Sequence, residues 1–316
     1  PSAFYTDPKK FEHIMERFSM NWHFAAHESQ LSDKSAIELR HLENLLGEPM
    51  ILVSGDEIRC ISNVCTHRGM LLVDGSCSKT TLQCPYHGRT FGLDGSMKSM
   101  PEFDLVEDFP AAEDDLRIFP SISWKGLVFT GLKPSRLEAF LKEMETRIGW
   151  MPIEKFEHDL SRKRCYEIKA NWALYVDNYL EGFHIPFVHN DLNRALDYDN
   201  YRTEIFDGGV LQIGIARDDE PFFTIPQESP DFKLKVAAYY YWIYPGLMLN
   251  FYPWGLSVNL VIPLSVDRTR IEYHGFVWDK KFLGKGAGAD LDKVEEEDQF
   301  VVESTQRGVS SLSYER

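Results

Sequence analysis

The chain has 316 residues, of which 43 % are hydrophobic and 13 % aromatic, and its formal net charge is −15 at pH 7. This length supports two domains that each bury their own core. A strongly acidic chain is a poor partner for nucleic acid, and no apolar run approaches the roughly 18 residues that a membrane span requires. The first residues do not resemble a signal peptide. We therefore expect a cytoplasmic protein that binds neither nucleic acid nor a membrane.

The first half of the chain is predicted to be mainly β-structure. A short helix is predicted over residues 7–18, with Asp7 as its cap and Pro8 in its first turn. Alternation of apolar and polar residues then predicts strands at 36–39, 50–53, 58–61, 81–83, 90–92, 117–118 and 124–130. We interpret residues 36–131 as a small all-β domain, and residues 1–35 as an N-terminal helical segment that packs on the second domain.

The second half mixes strands with helices. A helix is predicted over residues 134–149, with Leu137, Phe140, Leu141 and Met144 on one face. Two more helices are predicted at 172–184 and 290–304, with strands at 164–169, 202–206, 210–215, 236–244, 248–252, 257–263 and 270–278. This order predicts an antiparallel sheet that grips a helix. The predicted fold class is α+β, with this helix-grip domain over residues 132–316.

Two short motifs in the all-β domain contain metal-ligand side chains. Cys65 and His67 form the first motif, and Cys84 and His87 form the second, with sixteen residues between the two motifs. Zinc fingers place like ligands together, whereas each of these motifs mixes one thiolate with one imidazole. That mixture suits a [2Fe–2S] cluster with two cysteines on one iron and two histidines on the other. A structural zinc site is the alternative.

The surrounding residues resemble the Rieske domain of ring-hydroxylating and related Rieske oxygenases: Asn-Val-Cys65-Thr-His67-Arg-Gly, then Cys84-Pro-Tyr-His87-Gly-Arg. High-potential respiratory Rieske proteins add a disulfide-forming cysteine to each loop, where this chain has Met70 and Tyr86. The resemblance therefore implies the low-potential oxygenase type. The remaining cysteines, Cys60, Cys77 and Cys165, are expected to be buried or half-buried thiols.

A second metal site is predicted in the helix-grip domain. His184 and His189 are five residues apart, with Pro186 expected to break the helix between them. Two imidazoles that flank such a break can converge on one ion, and with a carboxylate they form the ligand set of non-haem Fe(II) enzymes. The alternative is a helix with two surface histidines.

This stretch also resembles the catalytic segment of Rieske oxygenase α subunits. The resemblance implies that His184 and His189 bind a mononuclear Fe(II), that Glu181 is the acidic bridge from a Rieske histidine to the iron, and that Asn178 lies near the metal. It places the third iron ligand at Asp298. Glu297 is the competitor for that role, and Glu295 and Glu296 are expected to form a solvated acidic face.

The substrate is less directly indicated. Glu181 and the aromatic run from Tyr239 to Trp254 resemble choline- and carnitine-type monooxygenases. Aromatic faces bind quaternary ammonium groups, but they also suit a flat aromatic substrate or simple core packing. We take Phe183, Phe251 and Trp254 as candidate substrate-binding residues.

The resemblance implies a terminal oxygenase that uses O₂ and electrons from a separate flavin or iron–sulfur reductase or a ferredoxin to hydroxylate a small molecule. NAD(P)H would act only through that reductase. In this family the two metal centres of one chain lie far apart, and a head-to-tail homotrimer is therefore expected.

The lead substrate is a quaternary ammonium compound. The alternatives are an aromatic acid that is hydroxylated or demethylated, and a Rieske electron carrier without oxygenase activity. Family members usually continue past Gln-Arg-Gly, so we expect a longer chain than one that ends at Arg316.

Overall fold

A computed structural model describes residues 1–103, 105–134 and 138–314. The chain divides into two compact units: a β unit of residues 18–135, and a grip unit of residues 1–17 and 136–316. Residues 18–35, which we expected to belong with the N-terminal helical segment, fall in the β unit because they include a strand of one of its sheets. No helix in the described ranges is both long and apolar enough to cross a membrane.

The helices, in chain order, are α1 (Ala3–Thr6), α2 (Pro8–Phe18), α3 (Arg40–Leu46), α4 (Glu138–Ile148), α5 (Trp172–Tyr179), α6 (Ile185–Val188), α7 (Asn190–Ala195) and α8 (Leu291–Val309). The predicted start of α2 is confirmed, since Oδ1 of Asp7 accepts a hydrogen bond of 2.9 Å from the backbone N–H of Lys9. Residue Leu137 of the predicted helical face lies outside the described residues. Phe140 and Met144 of that face are buried in α4.

The β unit contains three antiparallel sheets. Their strands are β1 (His23–His27), β2 (Ala36–Glu38), β3 (Met50–Ser54), β4 (Ile58–Ser62), β5 (Ser76–Cys77), β6 (Thr81–Gln83), β7 (Thr90–Gly92), β8 (Met97–Ser99), β9 (Ile118–Phe119), β10 (Ser121–Trp124) and β11 (Leu127–Thr130). The sheet orders are β1-β11-β10, β5-β2-β3-β4-β9 and β6-β7-β8. Strands β6 and β7 pair in register from Thr81 opposite Gly92 to Gln83 opposite Thr90, and the loop between them contains Cys84 and His87.

The grip unit is built on one seven-stranded antiparallel sheet in the order β12-β18-β17-β16-β15-β14-β13. Its strands are β12 (Glu157–Ile168), β13 (Arg202–Phe206), β14 (Gly209–Ile215), β15 (Val236–Ile243), β16 (Leu247–Tyr252), β17 (Gly255–Ser265) and β18 (Arg268–Val277). Helices α5 and α8 are tied together where the backbone N–H of Asn171 donates to Oε1 of Gln306 at 2.8 Å. The predicted combination of an all-β domain with a helix-grip domain is confirmed.

Two local predictions in the grip unit were wrong. The helix expected over residues 172–184 ends at Tyr179, and Pro186 does not break a helix. Pro186 instead lies in the first turn of α6, where its missing N–H costs no helical hydrogen bond. Pro186 thus lies in the first turn of the short helix α6, which separates His184 from His189.

Candidate functional site

The two cluster loops of the β unit have the same backbone pattern. The N–H of Gly69 donates to the carbonyl of Cys65 at 3.0 Å, and the N–H of Gly88 donates to the carbonyl of Cys84 at 3.0 Å. Gly69 and Gly88 have φ values of 72° and 75°, in the left-handed region where glycine is favoured. Each loop therefore turns back tightly enough to present its cysteine and histidine on one side.

The fold sorts the four predicted cluster ligands by type. The thiols of Cys65 and Cys84 form a hydrogen bond with each other. The imidazole rings of His67 and His87 have centroids 4.8 Å apart. Nδ1 of His87 is buried and, among the described residues, has no hydrogen-bond partner. One thiol pair beside one imidazole pair, with an unused ring nitrogen, fits a [2Fe–2S] cluster with two sulfur and two nitrogen ligands.

Arg89 connects the two cluster loops, a role that we did not predict. Its guanidinium group is buried, donates to Oγ1 of Thr66 at 2.6 Å and pairs with Asp114 at 2.9 Å. The position of Arg89, two residues after His87, was visible in the sequence, but its partners are distant in the chain. Arg89 thus holds the second loop against the first.

The other cysteine predictions hold in part. Met70 and Tyr86 are exposed at the positions where respiratory Rieske proteins are expected to have a disulfide. Cys60 is buried and Cys77 is half-buried, as predicted. Cys165 is exposed, so the prediction for this residue was wrong. Cys165 lies on β12, which is an edge strand of the grip sheet with an exposed face.

In the grip unit, His184, His189 and Asp298 come together with one donor atom from each within 4.8 Å of the others. Nε2 of His189 lies 3.0 Å from Oδ1 of Asp298, and Nε2 of His184 lies 3.7 Å from the same oxygen. Two imidazoles and one carboxylate suit Fe(II) and leave positions on the metal free for O₂ and substrate. The three residues therefore fit a mononuclear iron.

A glutamate holds the second ring nitrogen of each histidine. Nδ1 of His184 lies 2.7 Å from Oε1 of Glu181, and Nδ1 of His189 lies 2.8 Å from Oε2 of Glu297. A carboxylate at Nδ1 fixes the tautomer that presents Nε2 to a metal. Burial lowers the pKa of His189, but the carboxylates of Asp298 and Glu297 together raise it by more. The pKa of His189 is therefore raised overall. The surroundings of His189 therefore favour positive charge, which a metal cation supplies.

Asn178, which was expected near the metal, and Glu297, which was the competing candidate for the third ligand, both have defined partners. Nδ2 of Asn178 donates to Oδ1 of Asp298 at 2.7 Å, which links α5 to α8. Glu297 contacts the far side of the His189 ring and does not join the triad. Asp298 is thus the carboxylate that faces both histidines, and Asn178 orients it.

A cavity opens beside the three iron-ligand candidates. Six tyrosines form much of its wall: Tyr175, Tyr179, Tyr201, Tyr240, Tyr252 and Tyr273. Burial raises the pKa of Tyr252 well above its ordinary value, so this phenol stays neutral. Acidic side chains at the cavity are Glu181, Glu295 and Asp298, and no arginine or lysine of the described residues lines it.

The structure places the three predicted substrate residues outside this cavity. Phe183 points to solvent and is 76 % exposed. Phe251 is fully buried but lies on the opposite face of the sheet, because side chains alternate along β16 and its neighbours Asn250 and Tyr252 face the cavity. Trp254 stacks behind Tyr252 with ring centroids 5.3 Å apart. The aromatic segment from Tyr239 to Trp254 contributes Tyr240 and Tyr252 to the cavity wall, whereas the three residues chosen from the sequence do not line it.

Glu295 is a further correction. We expected it to lie on a solvated acidic face, but its side chain is only 2 % exposed and lines the cavity. Its Oε2 accepts hydrogen bonds from the hydroxyls of Tyr175, at 2.7 Å, and Tyr273. Glu296, the next residue, is exposed as predicted. A helical period of 3.6 places Glu295 one turn before Asp298 and on the same face, a signal that the sequence contained.

Comparison with known proteins agrees with this geometry. Residues 150–316 match the catalytic domain of the ring-hydroxylating α subunit, and residues 21–110 match the Rieske [2Fe–2S] domain. The chain belongs to the family of ring-hydroxylating oxygenase α subunits. This Rieske oxygenase is therefore an oxidoreductase and the terminal oxygenase of a multicomponent system. It uses a Rieske [2Fe–2S] cluster and a mononuclear iron, with electrons from a separate reductase.

Individual relatives cover almost the whole Rieske oxygenase chain. It is 29 % identical to the chloroplastic choline monooxygenase of Beta vulgaris, over 99 % of this chain and 71 % of the relative. It is 28 % identical to the carnitine monooxygenase oxygenase subunit of Escherichia coli (strain K12), over 99 % and 85 % of the two chains. A crystal structure of the quaternary ammonium Rieske monooxygenase CntA with an inhibitor matches with a TM-score of 0.81 and 27 % identity, covering 99 % of this chain and 86 % of that one.

Proposed function

We propose that this Rieske oxygenase hydroxylates a quaternary ammonium compound. The observation that supports the proposal is the wall of the cavity beside the iron ligands, which combines tyrosine rings with carboxylates and contains no arginine or lysine of the described residues. Aromatic faces attract a quaternary ammonium group by roughly 0.5–2 kcal/mol per contact. Relatives are named choline and carnitine monooxygenases, which supports the same substrate class.

An aromatic acid is the alternative substrate, and the cavity is less suited to it. A buried carboxylate needs a charged or strongly hydrogen-bonding partner, which is commonly an arginine. The cavity offers amide and hydroxyl groups on Gln212, Asn250, Ser257 and Asn259, but Glu181 and Glu295, its carboxylates that are not iron-ligand candidates, would repel an acid. Charge thus favours the cationic class over the acidic one.

The residues around the iron have separable roles in this proposal. His184, His189 and Asp298 would hold the iron, which when bound supplies O₂ activation. Asn178 keeps the Asp298 carboxylate in place through its 2.7 Å hydrogen bond. Glu181 contacts Nδ1 of His184 and is partly exposed, so it can also accept a hydrogen bond from outside the iron site. Such a second contact would suit the bridging role in electron transfer that the family resemblance implies for Glu181.

We also infer a head-to-tail homotrimer in which the cluster of one subunit serves the iron of its neighbour. Exposed aromatic side chains support a subunit contact near the iron ligands, since Phe183 is 76 % and Phe187 is 86 % exposed. Contiguous exposed apolar patches mark interaction surfaces, and two phenylalanines four residues apart would contribute to such a patch. Analytical ultracentrifugation combined with turnover assays tests this inference, and a monomer with full coupled turnover would contradict it.

One single-turnover experiment tests the substrate class. The holoprotein is reduced under anaerobic conditions and then given labelled O₂ with either quaternary ammonium compounds or aromatic acids, and the products are analysed by mass spectrometry. The proposal predicts label in an oxidised ammonium substrate. Label in an aromatic product instead would assign the enzyme to the aromatic alternative.

A further inference from the structure

Glu295 is a buried carboxylate for which the described residues provide no cationic partner. It lies on α8, one turn before Asp298, and is 2 % exposed. Tyr175 and Tyr273 donate to Oε2, and Nε2 of Gln299 lies 3.2 Å from Oε1. All three donors are neutral, and within the described ranges no lysine or arginine forms an ion pair with this carboxylate. Burial of an uncompensated carboxylate costs free energy, which a bound cation can offset.

The surroundings of Glu295 form one side of the cavity. Glu295 and both tyrosines that donate to it line the same space as Asp298. Tyr240 and Tyr252 form another part of the wall, with their ring centroids 5.9 Å apart in an edge-to-face arrangement. A cation in this space can therefore meet aromatic rings and a carboxylate together.

We propose that Glu295 is the counter-charge for the substrate cation and selects ammonium compounds whose remaining part is neutral. This inference rests on the proposed function and adds a residue and a narrower substrate class to it. A zwitterionic substrate would bring its own carboxylate into a cavity that already holds the carboxylates of Glu181 and Glu295. Like charges in a confined site repel strongly. An amino alcohol with a quaternary nitrogen avoids that repulsion.

The raised pKa of Glu295 agrees with the finding that no lysine or arginine of the described residues forms an ion pair with it. Burial is the main cause, the negative charge of Asp298 adds to it, and the hydroxyls of Tyr273 and Tyr175 oppose it, which leaves a pKa of about 7. A paired glutamate with an arginine or lysine neighbour would shift in the opposite direction.

The test compares a cation with its neutral isostere on the holoprotein. Binding is measured by anaerobic titration calorimetry with three probes: choline, the alcohol in which a quaternary carbon replaces the nitrogen of choline, and glycine betaine. Wild type is expected to prefer choline over both other probes. Glu295→Gln is expected to weaken choline binding by about tenfold or more, as for the loss of a buried charge partner, and to leave binding of the isostere unchanged.

Two variants control for indirect effects. Glu295→Asp keeps the charge and is expected to retain most of the preference for choline over the isostere. Glu296→Gln removes one negative charge from the exposed face of the same helix and is expected to change nothing. An equal loss of affinity for choline and for the neutral isostere in Glu295→Gln would show a merely structural role and overturn the proposal. Unchanged choline binding in that variant would overturn it as well.

The outcome also separates this proposal from the proposed function. If wild type oxidises the ammonium substrate but Glu295→Gln does not weaken choline binding selectively, the proposed function stands and the role of Glu295 is removed. Charge-selective binding that depends on Glu295, but without oxidised ammonium product, keeps the cation site and removes the function. A wild type that does not prefer choline over the neutral isostere contradicts the cation site itself.

Discussion

Glu297 holds His189 in place through a 2.8 Å contact between Oε2 and the ring Nδ1. The contact leaves Nε2 of His189 directed at Asp298, 3.0 Å away. The carboxylate that was the competing candidate for the third ligand therefore supports the iron site without entering it. A comparable contact joins Glu181 to His184. Each iron-ligand histidine thus has its own carboxylate.

This relationship predicts the effect of Glu297→Gln. The substitution removes the charge that favours the metal-binding tautomer of His189, and loss of such a partner typically weakens metal affinity by roughly 10- to 100-fold. Competition with a chelator measures the iron affinity of both proteins. Glu296→Gln is the matched control, since its side chain is exposed on the same helix. Equal iron affinity in the two variants would remove the role of Glu297.

Glu181→Gln is expected to weaken iron binding at His184, as Glu297→Gln does at His189, and to abolish coupled turnover even in protein that is fully loaded with both metal centres. The amide keeps an oxygen near Nδ1 of His184, whereas alanine would also remove the 2.7 Å contact that orients this ligand. Stopped-flow measurement of cluster oxidation, together with iron analysis, separates the two effects. Glu297→Gln serves as the comparison because it affects the other histidine. Wild-type turnover in Glu181→Gln would contradict the bridging role.

Tyr252→Leu is expected to weaken binding of a quaternary ammonium substrate by roughly 0.5–2 kcal/mol, because it removes one aromatic face from the cavity. Tyr252→Phe keeps the ring and is expected to bind the cation nearly as well as wild type. Titration calorimetry measures both affinities. Equal losses in the two variants would assign the effect to the hydroxyl group and not to the ring.

His23 in the β unit provides a test of pH-dependent stability. Burial lowers its pKa to about 4, although its hydrogen bond of 2.8 Å to the carbonyl of Phe18 opposes the shift. Between about pH 6.5 and 4 the unfolded chain binds the proton and the folded chain does not, so stability falls as pH falls. The free energy of unfolding of wild type minus that of His23→Gln is expected to fall by about 3 kcal/mol as the pH is lowered across this window.

Urea unfolding at several pH values measures that advantage for His23→Gln. His13→Gln is the matched control, since His13 is exposed on α2. A pH-independent difference between wild type and His23→Gln would contradict the account of His23 as a buried neutral imidazole.

The sequence predicted local ligands better than cavity walls. Cys65, His67, Cys84 and His87 lie in two short motifs, so their grouping needed no tertiary information. The pairing of the Cys65 thiol with the Cys84 thiol depends instead on how the two cluster loops pack against each other. In the same way, alternation along β16 allowed either Phe251 or Tyr252 to face the substrate, and only the side of the sheet covered by α5 and α8 decides between them.

Helical periodicity explains the error at Glu295. A run of four acidic residues, 295–298, suggested a solvated face, yet positions 295 and 298 point in one direction on α8. Tyr175 and Tyr273, which satisfy the carboxylate, come from α5 and β18 and could not be assigned before these elements were placed.

We infer that His184, His189 and Asp298 hold a mononuclear iron in addition to the Rieske cluster. The amount of iron and acid-labile sulfide in purified wild type and in Asp298→Asn tests this inference directly. We expect about three irons per wild-type chain, two in the cluster and one in the triad, and about two irons with unchanged sulfide in the variant. Full iron content in Asp298→Asn, with unaltered turnover, would contradict the account.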